Sequence, residues 1–158
     1  MLEGLQEFTA SLPAALQWLG VILISAIPFV ESYFGAAIGV FAGVNPVVAV
    51  VAAIIGNTVS MLAFVGGAHK IRQRIVAGTE PQETSPRREK LRAAFTKWGV
   101  PGVSLLGQTI LPSQITSGAM VSFGAKTSAV IVWQVISITI WGVGFGLLAV
   151  LGLDLISG

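Results

Sequence analysis

Two long apolar blocks dominate the pattern of the chain, and short polar breaks interrupt each of them. The first block, Phe8–Ala68, has Glu31 as its only charged residue, and the second, Trp98–Leu153, has Lys126 as its only one. About 20 consecutive apolar residues suffice to cross the hydrocarbon core of a membrane as a helix. The pattern therefore predicts an all-α integral membrane protein in which residues 1–158 form a single membrane domain.

The first block predicts a helical hairpin followed by a full membrane span. An apolar segment, Pro13–Pro28, leads to a polar break at Pro28–Ser32 and to a short arm, Tyr33–Val44. As a helix this arm is about 18 Å long, which is too short for a hydrocarbon core of about 30 Å. We therefore expect a re-entrant hairpin. Asn45-Pro46 ends the arm, and Pro46–Gly66 is long enough to span.

The second block repeats this order of segments and breaks. An apolar segment, Gly102–Leu111, is followed by a break at Pro112–Ser117, a short arm at Gly118–Gly124 and a long span from Thr127 to about Leu153. A hairpin plus one span crosses the membrane once, so the two halves would be inverted relative to each other. Inverted repeats with broken helices are typical of secondary transporters.

The loop between the blocks, residues 69–97, carries most of the positive charge. Eight of the nine basic residues lie in it: Lys70, Arg72, Arg74, Arg87, Arg88, Lys90, Arg92 and Lys97. Such a run occurs in nucleic-acid-binding proteins, but in a membrane protein it marks the cytoplasmic side. We expect this loop to be cytoplasmic, both termini to lie outside, and no nucleic acid to be a partner.

A short helix is expected within this loop. Ser85-Pro86 has the composition of a helix start, with Pro at the first helical position. Leu91, Phe95 and Trp98 then share one face, while basic residues surround the rest. The pattern predicts an amphipathic helix on the inner membrane surface, and the alternative is a solvated connector.

Glu31 is the main candidate for a functional residue. An ionisable side chain inside a membrane is costly, and such residues usually serve binding or transport. Because a low-dielectric environment disfavours the charged form of a carboxyl group, Glu31 suits the exchange of a proton for a cationic substrate. The alternative is a structural role, in which Glu31 caps the following short helix or extends to the membrane interface.

The second break is polar but uncharged. Its side chains can donate and accept hydrogen bonds, and we expect them to line a substrate or proton site shared with Glu31. They are Gln108, Thr109, Ser113, Gln114, Thr116 and Ser117. The alternative is that they satisfy the backbone groups of a broken helix, a role that suits the hydroxyls better than the two carboxamides.

Other residues are expected to shape the helices. Gly35, Gly39 and Gly43 form a GxxxGxxxG run, whose bare backbone permits close packing within the fold or between protomers. Asn57 and Gln134 are expected to form hydrogen bonds between helices. The hairpins are expected to be framed by Pro28, Gly35, Gly39, Gly43, Pro112 and Gly118.

Several functional classes are excluded by what the sequence lacks. The chain has no cysteine and a single histidine, so thiolate and histidine-cluster metal sites are excluded. It has no phosphate-binding glycine loop, nucleophile elbow or zinc motif. We therefore expect no enzymatic activity, no cofactor and no metal, and the chain alone is not an ATP-driven pump.

The first break resembles a known family. Its stretch Ile27–Gly39 (IPFVESYFGAAIG), together with Gly43–Pro46 (GVNP) and Gly56-Asn57, looks like the small multidrug export protein family. That family is similar in plan to the larger DedA, or VTT-domain, membrane proteins. The resemblance implies a protein of the bacterial inner membrane, with Glu31 as the acidic residue of the first hairpin. The frame of that hairpin would be Pro28, Gly35 and Gly39.

The second hairpin departs from the DedA pattern. DedA-type proteins carry Arg residues there, and some translocate polyprenyl-phosphate lipid carriers. In this chain the equivalent stretch, Leu111–Gly118, matches in position but contains Gln114, with Gln108 just before it, and no Arg. An acidic tip without a basic partner suits a cation better than an anionic lipid headgroup.

The sequence thus predicts a transporter of the small multidrug efflux type, which exports hydrophobic, cationic compounds in exchange for protons. The expected partners are such a substrate, membrane lipids and a second copy of the chain, because so small a bundle encloses little volume. Two alternatives stay open: a DedA-like flippase of a polyprenyl-phosphate carrier, and a non-transporting membrane scaffold.

Overall fold

The computed structural model describes residues 2–76, 86–108 and 110–157, and every regular element in these ranges is helical. The helices are α1 (Leu2–Ser11), α2 (Gln17–Ser25), α3 (Glu31–Phe41), α4 (Pro46–Val76), α5 (Pro86–Gly107), α6 (Ser113–Ser122) and α7 (Thr127–Ser157). A 3-10 turn, Ala14–Leu16, leads into α2. The predicted all-α class is therefore confirmed.

The predicted order of elements occurs twice along the chain. The short helix α2 leads through a break to the short helix α3 and then to α4, which is 31 residues long. In the same way α5 leads through a break to α6, of 10 residues, and to α7, of 31 residues. By length and composition α4 and α7 can each cross a membrane, over Pro46–Ala68 and Thr127–Leu155.

Both breaks are shorter than predicted, because polar residues begin the helices that follow them. α3 begins at Glu31 and α6 at Ser113, so the last residues of the predicted breaks, Pro28–Ser32 and Pro112–Ser117, are helical. The first turn of a helix has amide groups without helical partners and accommodates polar and acidic side chains. The run of polar residues therefore overestimates the length of the non-helical segment between the two helices.

α4 begins where predicted but ends later. Asn45 precedes it, and Asn45 Oδ1 accepts a hydrogen bond from the amide of Val47 at 3.0 Å. Pro46 takes the first helical position, where a missing N–H has no consequence. The predicted loop begins at residue 69, whereas the helix continues to Val76. No Gly or Pro occurs in this extension, so nothing in it interrupts the helix.

Two helical features go beyond the prediction. The N-terminal helix α1 precedes the first hairpin, and α5 joins two helical segments across a kink. α5 begins at Pro86 as predicted, and its axis breaks at Gly99 (φ 64°, ψ −170°), two residues before Pro101. Glycine adopts this positive φ at little cost. Ser85, part of the predicted helix start, lies outside the described residues.

The chain divides into two compact units. Unit 1 consists of the chain up to Ser60 together with the chain from Ile138 onward, so it contains α1 to α3, the first part of α4 and the last part of α7. Unit 2 runs from Met61 to Ser137 and contains the rest of α4, α5, α6 and the first part of α7. The single membrane domain expected from the sequence stays a prediction.

Small residues let the helices of unit 1 approach closely. Val21 of α2, Ala36 of α3, Ala49 of α4 and Ala149 of α7 are buried in one apolar cluster. A Cβ atom at Gly39 would lie 2.9 Å from Ala49 Cβ and equally close to Val21. Such a contact is too short for carbon atoms, so this contact between helices requires glycine.

The predicted glycine run has two structural roles. Gly35 and Gly39 are buried against α2 and α4 within unit 1. Of the two predicted roles, packing within the fold and packing between protomers, this burial supports the first. Gly43 has φ 87° and follows the end of α3. The amide of Val44 donates to the carbonyl oxygen of Gly39 at 3.0 Å, as in a glycine-terminated helix.

Candidate functional site

Glu31 is the first residue of α3 and is fully buried, with 0% of its surface exposed. In the turn between α2 and α3, the amides of Val30 and Glu31 both donate to the carbonyl oxygen of Ile27, at 3.1 and 3.2 Å. Phe29 (φ 73°) and Glu31 (φ 53°) have left-handed backbone conformations. These are uncommon for residues with a side chain and concentrate at functional sites. The fold thus holds a carboxyl group at a strained turn in its interior.

Serine hydroxyl groups on both sides connect this turn to neighbouring helices. On the α3 side, Ser32 Oγ donates a hydrogen bond to the carbonyl oxygen of Ile138 on α7, at 2.8 Å. On the α2 side, Ser60 Oγ of α4 donates to the carbonyl oxygen of Ala26, also at 2.8 Å. Contacts with α4 and α7 therefore help to fix the position of Glu31.

Aromatic side chains gather beside Glu31 along α3 and pack on α7. Tyr33 and Phe34 lie with their ring centroids 5.4 and 5.9 Å from that of Phe145, and Trp141 lies 6.0 Å from Phe145. We call these four residues, all partly buried, the aromatic group. Trp141 also lies with its ring centroid 6.4 Å from that of Tyr33. Aromatic ring faces attract cations, that of Trp most strongly.

Unit 2 holds a second group of buried polar side chains, at the break between α5 and α6. Each is at most 5% exposed, and none carries a charge. The members are Ser104, Gln108, Ser113, Gln114, Thr116, Ser117, Gln134 and Ser137. We call them the amide–hydroxyl cluster. The structure therefore brings together Gln108, Ser113, Gln114 and Thr116, which the sequence singled out.

A directed chain of hydrogen bonds joins the elements of this cluster. Gln108 Nε2 donates to Gln134 Oε1 over a long 3.5 Å, and Gln134 Nε2 donates to Thr116 Oγ1 at 3.1 Å. Thr116 Oγ1 donates in turn to the carbonyl oxygens of Pro112 and Ser113, at 3.2 and 3.1 Å. Because a carbonyl oxygen only accepts, the direction of the whole chain is set at its Thr116 end.

The serine hydroxyls of the cluster support the backbone near the break. Ser117 Oγ donates to the carbonyl oxygen of Ser113, and Ser137 Oγ of α7 donates to that of Ser104 on α5, at 2.6 Å. Ser113 Oγ donates to Gln114 Oε1 at 3.4 Å. The hydroxyls of Thr116 and Ser117 thus bond carbonyl oxygens at the start of their own helix, and the alternative that hydroxyls satisfy broken-helix groups stays a prediction.

The predicted site residues fall into both units. Glu31 belongs to unit 1 and the amide–hydroxyl cluster to unit 2, and a cavity shared between them stays a prediction. Gln134 is confirmed as a hydrogen-bond partner between helices. Thr109 lies outside the described residues.

The remaining frame residues lie where the chain turns or packs closely. Pro28 lies in the turn between α2 and α3. Pro112 is the N-cap of α6 with an extended backbone, φ −54° and ψ 145°. A Cβ atom at Gly118 would lie 3.7 Å from Ala68 Cβ of α4, an ordinary contact, so this position does not require glycine.

The basic helix packs on protein to a greater extent than predicted. Leu91 is buried and Phe95 lies with its ring centroid 6.1 Å from that of Phe123, which follows α6. Arg88 and Arg92 lie over the same Phe123 ring, at 5.6 and 5.9 Å from its centroid. Trp98 alone of the predicted apolar face is largely exposed. Phe123 therefore covers part of the face that the sequence assigned to the membrane surface.

Ser104 and Ser137 are members of the cluster that the sequence analysis missed. Ser104 lies four residues before Gln108, and Ser137 lies three residues after Gln134. Residues at these spacings share one helix face. A search for polar residues one helical turn away from each Gln in an apolar segment would have found both.

Comparison with family models, curated proteins and solved structures gave no match to this chain. The resemblance to the small multidrug export family therefore stays a prediction that rests on the residues around Glu31.

Proposed function

We propose that this chain is an integral protein of the inner membrane of a bacterium. α4 and α7 are long and apolar enough to span it, and both present exposed apolar side chains at intervals of three or four residues. On α7 these are Val132, Ile136, Ile140, Val143, Leu147 and Leu151, and on α4 they are Val47, Val51, Ile55, Val59 and Leu62. Large contiguous apolar surfaces are rare on soluble monomers, whereas lipid would cover these rows.

In the proposed topology each half contributes one re-entrant hairpin and one full span, and the halves are inverted. The twofold occurrence of short helix, break, short helix and long helix supports this arrangement. The basic loop, residues 69–97, lies in the cytoplasm and both termini lie outside, in accordance with the distribution of Lys and Arg. A second copy of the chain would enlarge the volume that so small a bundle can enclose.

The proposed function is the export of hydrophobic, cationic compounds in exchange for protons. The observation that carries it is the complete burial of Glu31 at the strained turn between α2 and α3. A carboxyl group enclosed by apolar helices is stabilised by binding a proton or a cation, and ionisable groups at such depths usually mark transport pathways. The aromatic group on the same unit suits a cationic substrate.

Proton flux in proteoliposomes tests this proposal. Purified protein is reconstituted with a trapped pH-sensitive dye, and a lipophilic cation such as tetraphenylphosphonium is added. We expect a cation-dependent proton flux in the wild type and its loss, by tenfold or more, in Glu31→Gln. The substitution keeps the size of the side chain and removes its ability to exchange a proton.

Glu7→Gln is the matched control, because it makes the same chemical change at an exposed position of α1. It should leave the flux unchanged. Full flux in a folded Glu31→Gln variant would falsify the proposed role of Glu31.

A second candidate function is the transport of a polyprenyl-phosphate lipid carrier. The observation that favours it is the position of Arg88 and Arg92 over Phe123, next to the end of α6, which supplies positive charge near the second hairpin. In the same proteoliposomes, absence of cation-driven flux together with movement of a labelled polyprenyl phosphate between the leaflets would favour this candidate over the first.

A further inference from the structure

Two oxygen atoms of the amide–hydroxyl cluster have no hydrogen-bond partner among the described residues. They are Ser104 Oγ and Gln108 Oε1, and their side chains are 0% and 5% exposed. A buried polar atom without a partner costs free energy, and native proteins leave few of them. A ligand that contacts both oxygens would remove this cost.

The two residues lie close together along the chain. Ser104 and Gln108 are four residues apart, so they lie on the same face, at the last turn of α5 and just beyond its end at Gly107. The C-terminal end of a helix carries a partial negative charge. The local field at these oxygens thus favours a positively charged ligand.

The direction of the hydrogen-bond chain determines which atom of the Gln108 carboxamide takes no part in it. Thr116 donates to backbone carbonyls, so its oxygen accepts from Gln134 Nε2. Gln134 then presents Oε1 to Gln108, whose Nε2 donates to it. The remaining atom of Gln108 is an oxygen, so the missing partner is a hydrogen-bond donor or a cation.

The chemistry of the cluster narrows this choice. It contains no carboxylate, which Ca²⁺ and Mg²⁺ sites normally use, and no imidazole or sulfur ligand for a transition metal. Hydroxyls and carboxamides do not take up an additional proton near neutral pH. Neutral oxygens beside a broken helix are, however, a known way of coordinating sodium ions in transporters.

We propose that the amide–hydroxyl cluster binds a small monovalent cation, with sodium as the natural candidate, through Gln108 Oε1 and Ser104 Oγ. This site lies in unit 2 and uses no residue of the Glu31 turn. It stands whether or not the protein exports cationic compounds.

Thermal unfolding of the purified full-length protein in detergent micelles tests the proposal. Sodium chloride is exchanged for choline chloride at constant ionic strength, and unfolding is followed by tryptophan fluorescence. Because a ligand of the native state raises its stability, we expect a saturable rise in Tm of about 3 °C at sodium concentrations well above the dissociation constant. Ser104→Ala and Gln108→Leu should each lose most of this rise.

Ser104→Ala has a second signature. In choline chloride its Tm should equal or exceed that of the wild type, because the substitution removes a buried hydroxyl without a partner. A purely structural role of Ser104 would not combine an unchanged Tm in choline with a lost response to sodium. If Gln108→Leu does not fold, Ser104→Ala alone decides the question.

Ser25→Ala is the matched control, since Ser25 Oγ is likewise buried without a partner among the described residues, but in unit 1. It should keep the full sodium response, as should Glu31→Gln. The proposal is wrong if the wild type shows no sodium-dependent rise, as it would if a water molecule satisfied these oxygens. It is also wrong if the rise survives in Ser104→Ala, or if Glu31→Gln or Ser25→Ala removes it.

Discussion

The two breaks follow the same order of elements but differ in what they bury. The turn between α2 and α3 buries a carboxyl group, Glu31, whereas the break between α5 and α6 buries only neutral amides and hydroxyls. An ionisable group changes its charge by taking up a proton, while a neutral cluster interacts with a cation only through oxygen dipoles. The proposed proton exchange at Glu31 and the proposed cation site at the second break would thus place two kinds of ion chemistry on one order of helices.

The two breaks also differ in what holds them in place. Close packing surrounds the first, where Gly35 and Gly39 let α3 approach its neighbours. The second depends on a hydrogen-bond chain through Gln134. We therefore expect the first break to be sensitive to side-chain volume and the second to the loss of polar atoms.

The largest expected effect comes from adding one methyl group to a glycine of α3, compared with the same change at a glycine of α6. A Cβ atom at Gly35 would lie 2.9 Å from Ser25 Cβ, whereas one at Gly118 would lie 3.7 Å from Ala68 Cβ. Gly35→Ala should destabilise the protein by about 1–3 kcal/mol through overpacking. Gly118→Ala should be neutral, or stabilising by up to about 1 kcal/mol, because alanine favours helix.

Thermal unfolding in detergent measures the stability of both variants. Equal losses in the two would contradict the difference in packing between the breaks.

A loss of about 1–2 kcal/mol is expected from Gln134→Leu, which removes the centre of the hydrogen-bond chain and leaves buried polar atoms of its neighbours without a partner. The matched control is Gln17→Leu, the same change at a partly exposed position at the start of α2. In chemical or thermal unfolding, the free energy of unfolding of Gln134→Leu should be well below that of this control. A Gln134→Leu protein as stable as the wild type would show that the chain contributes little.

The smallest effect, about 0.5–1 kcal/mol, is expected from Ser32→Ala. Its hydroxyl donates to the carbonyl oxygen of Ile138, which lies inside α7 and already belongs to the helical hydrogen-bond pattern, so no acceptor is left unsatisfied. Ser128→Ala, at an exposed position of α7, serves as the control. A loss above about 2 kcal/mol would mean that Ser32 holds the Glu31 turn more firmly than this geometry implies.

Local patterns in the sequence locate the polar residues and every helix except α1, but not the partners of the polar side chains. Glu31 stands out as an isolated charge in an apolar block. Asn45-Pro46 and Pro86 stand out as residues that begin helices. Both signals depend only on neighbours a few positions away along the chain. The polar residues of the second break were likewise visible as a group.

What the sequence could not give depends on contacts between distant segments. The bond of Gln134 to Thr116 joins α7 to α6, and the packing of Phe95 on Phe123 joins the basic helix to the end of α6. Nothing near any of these residues in the chain specifies its partner. The pattern does not predict the helical extension of α4 for a different reason: the charged residues there mark the end of the apolar region and not the end of the helix.

That extension has a geometric consequence. A helix of 31 residues is about 46 Å long, whereas a hydrocarbon core measures about 30 Å. In the proposed topology α4 therefore continues as a helix beyond the membrane, after its apolar stretch, Pro46–Ala68, on the side of the basic loop. Lys70, two residues beyond the apolar stretch, is exposed, so in the proposed topology a fluorophore attached there would report the environment at the point where α4 leaves the bilayer.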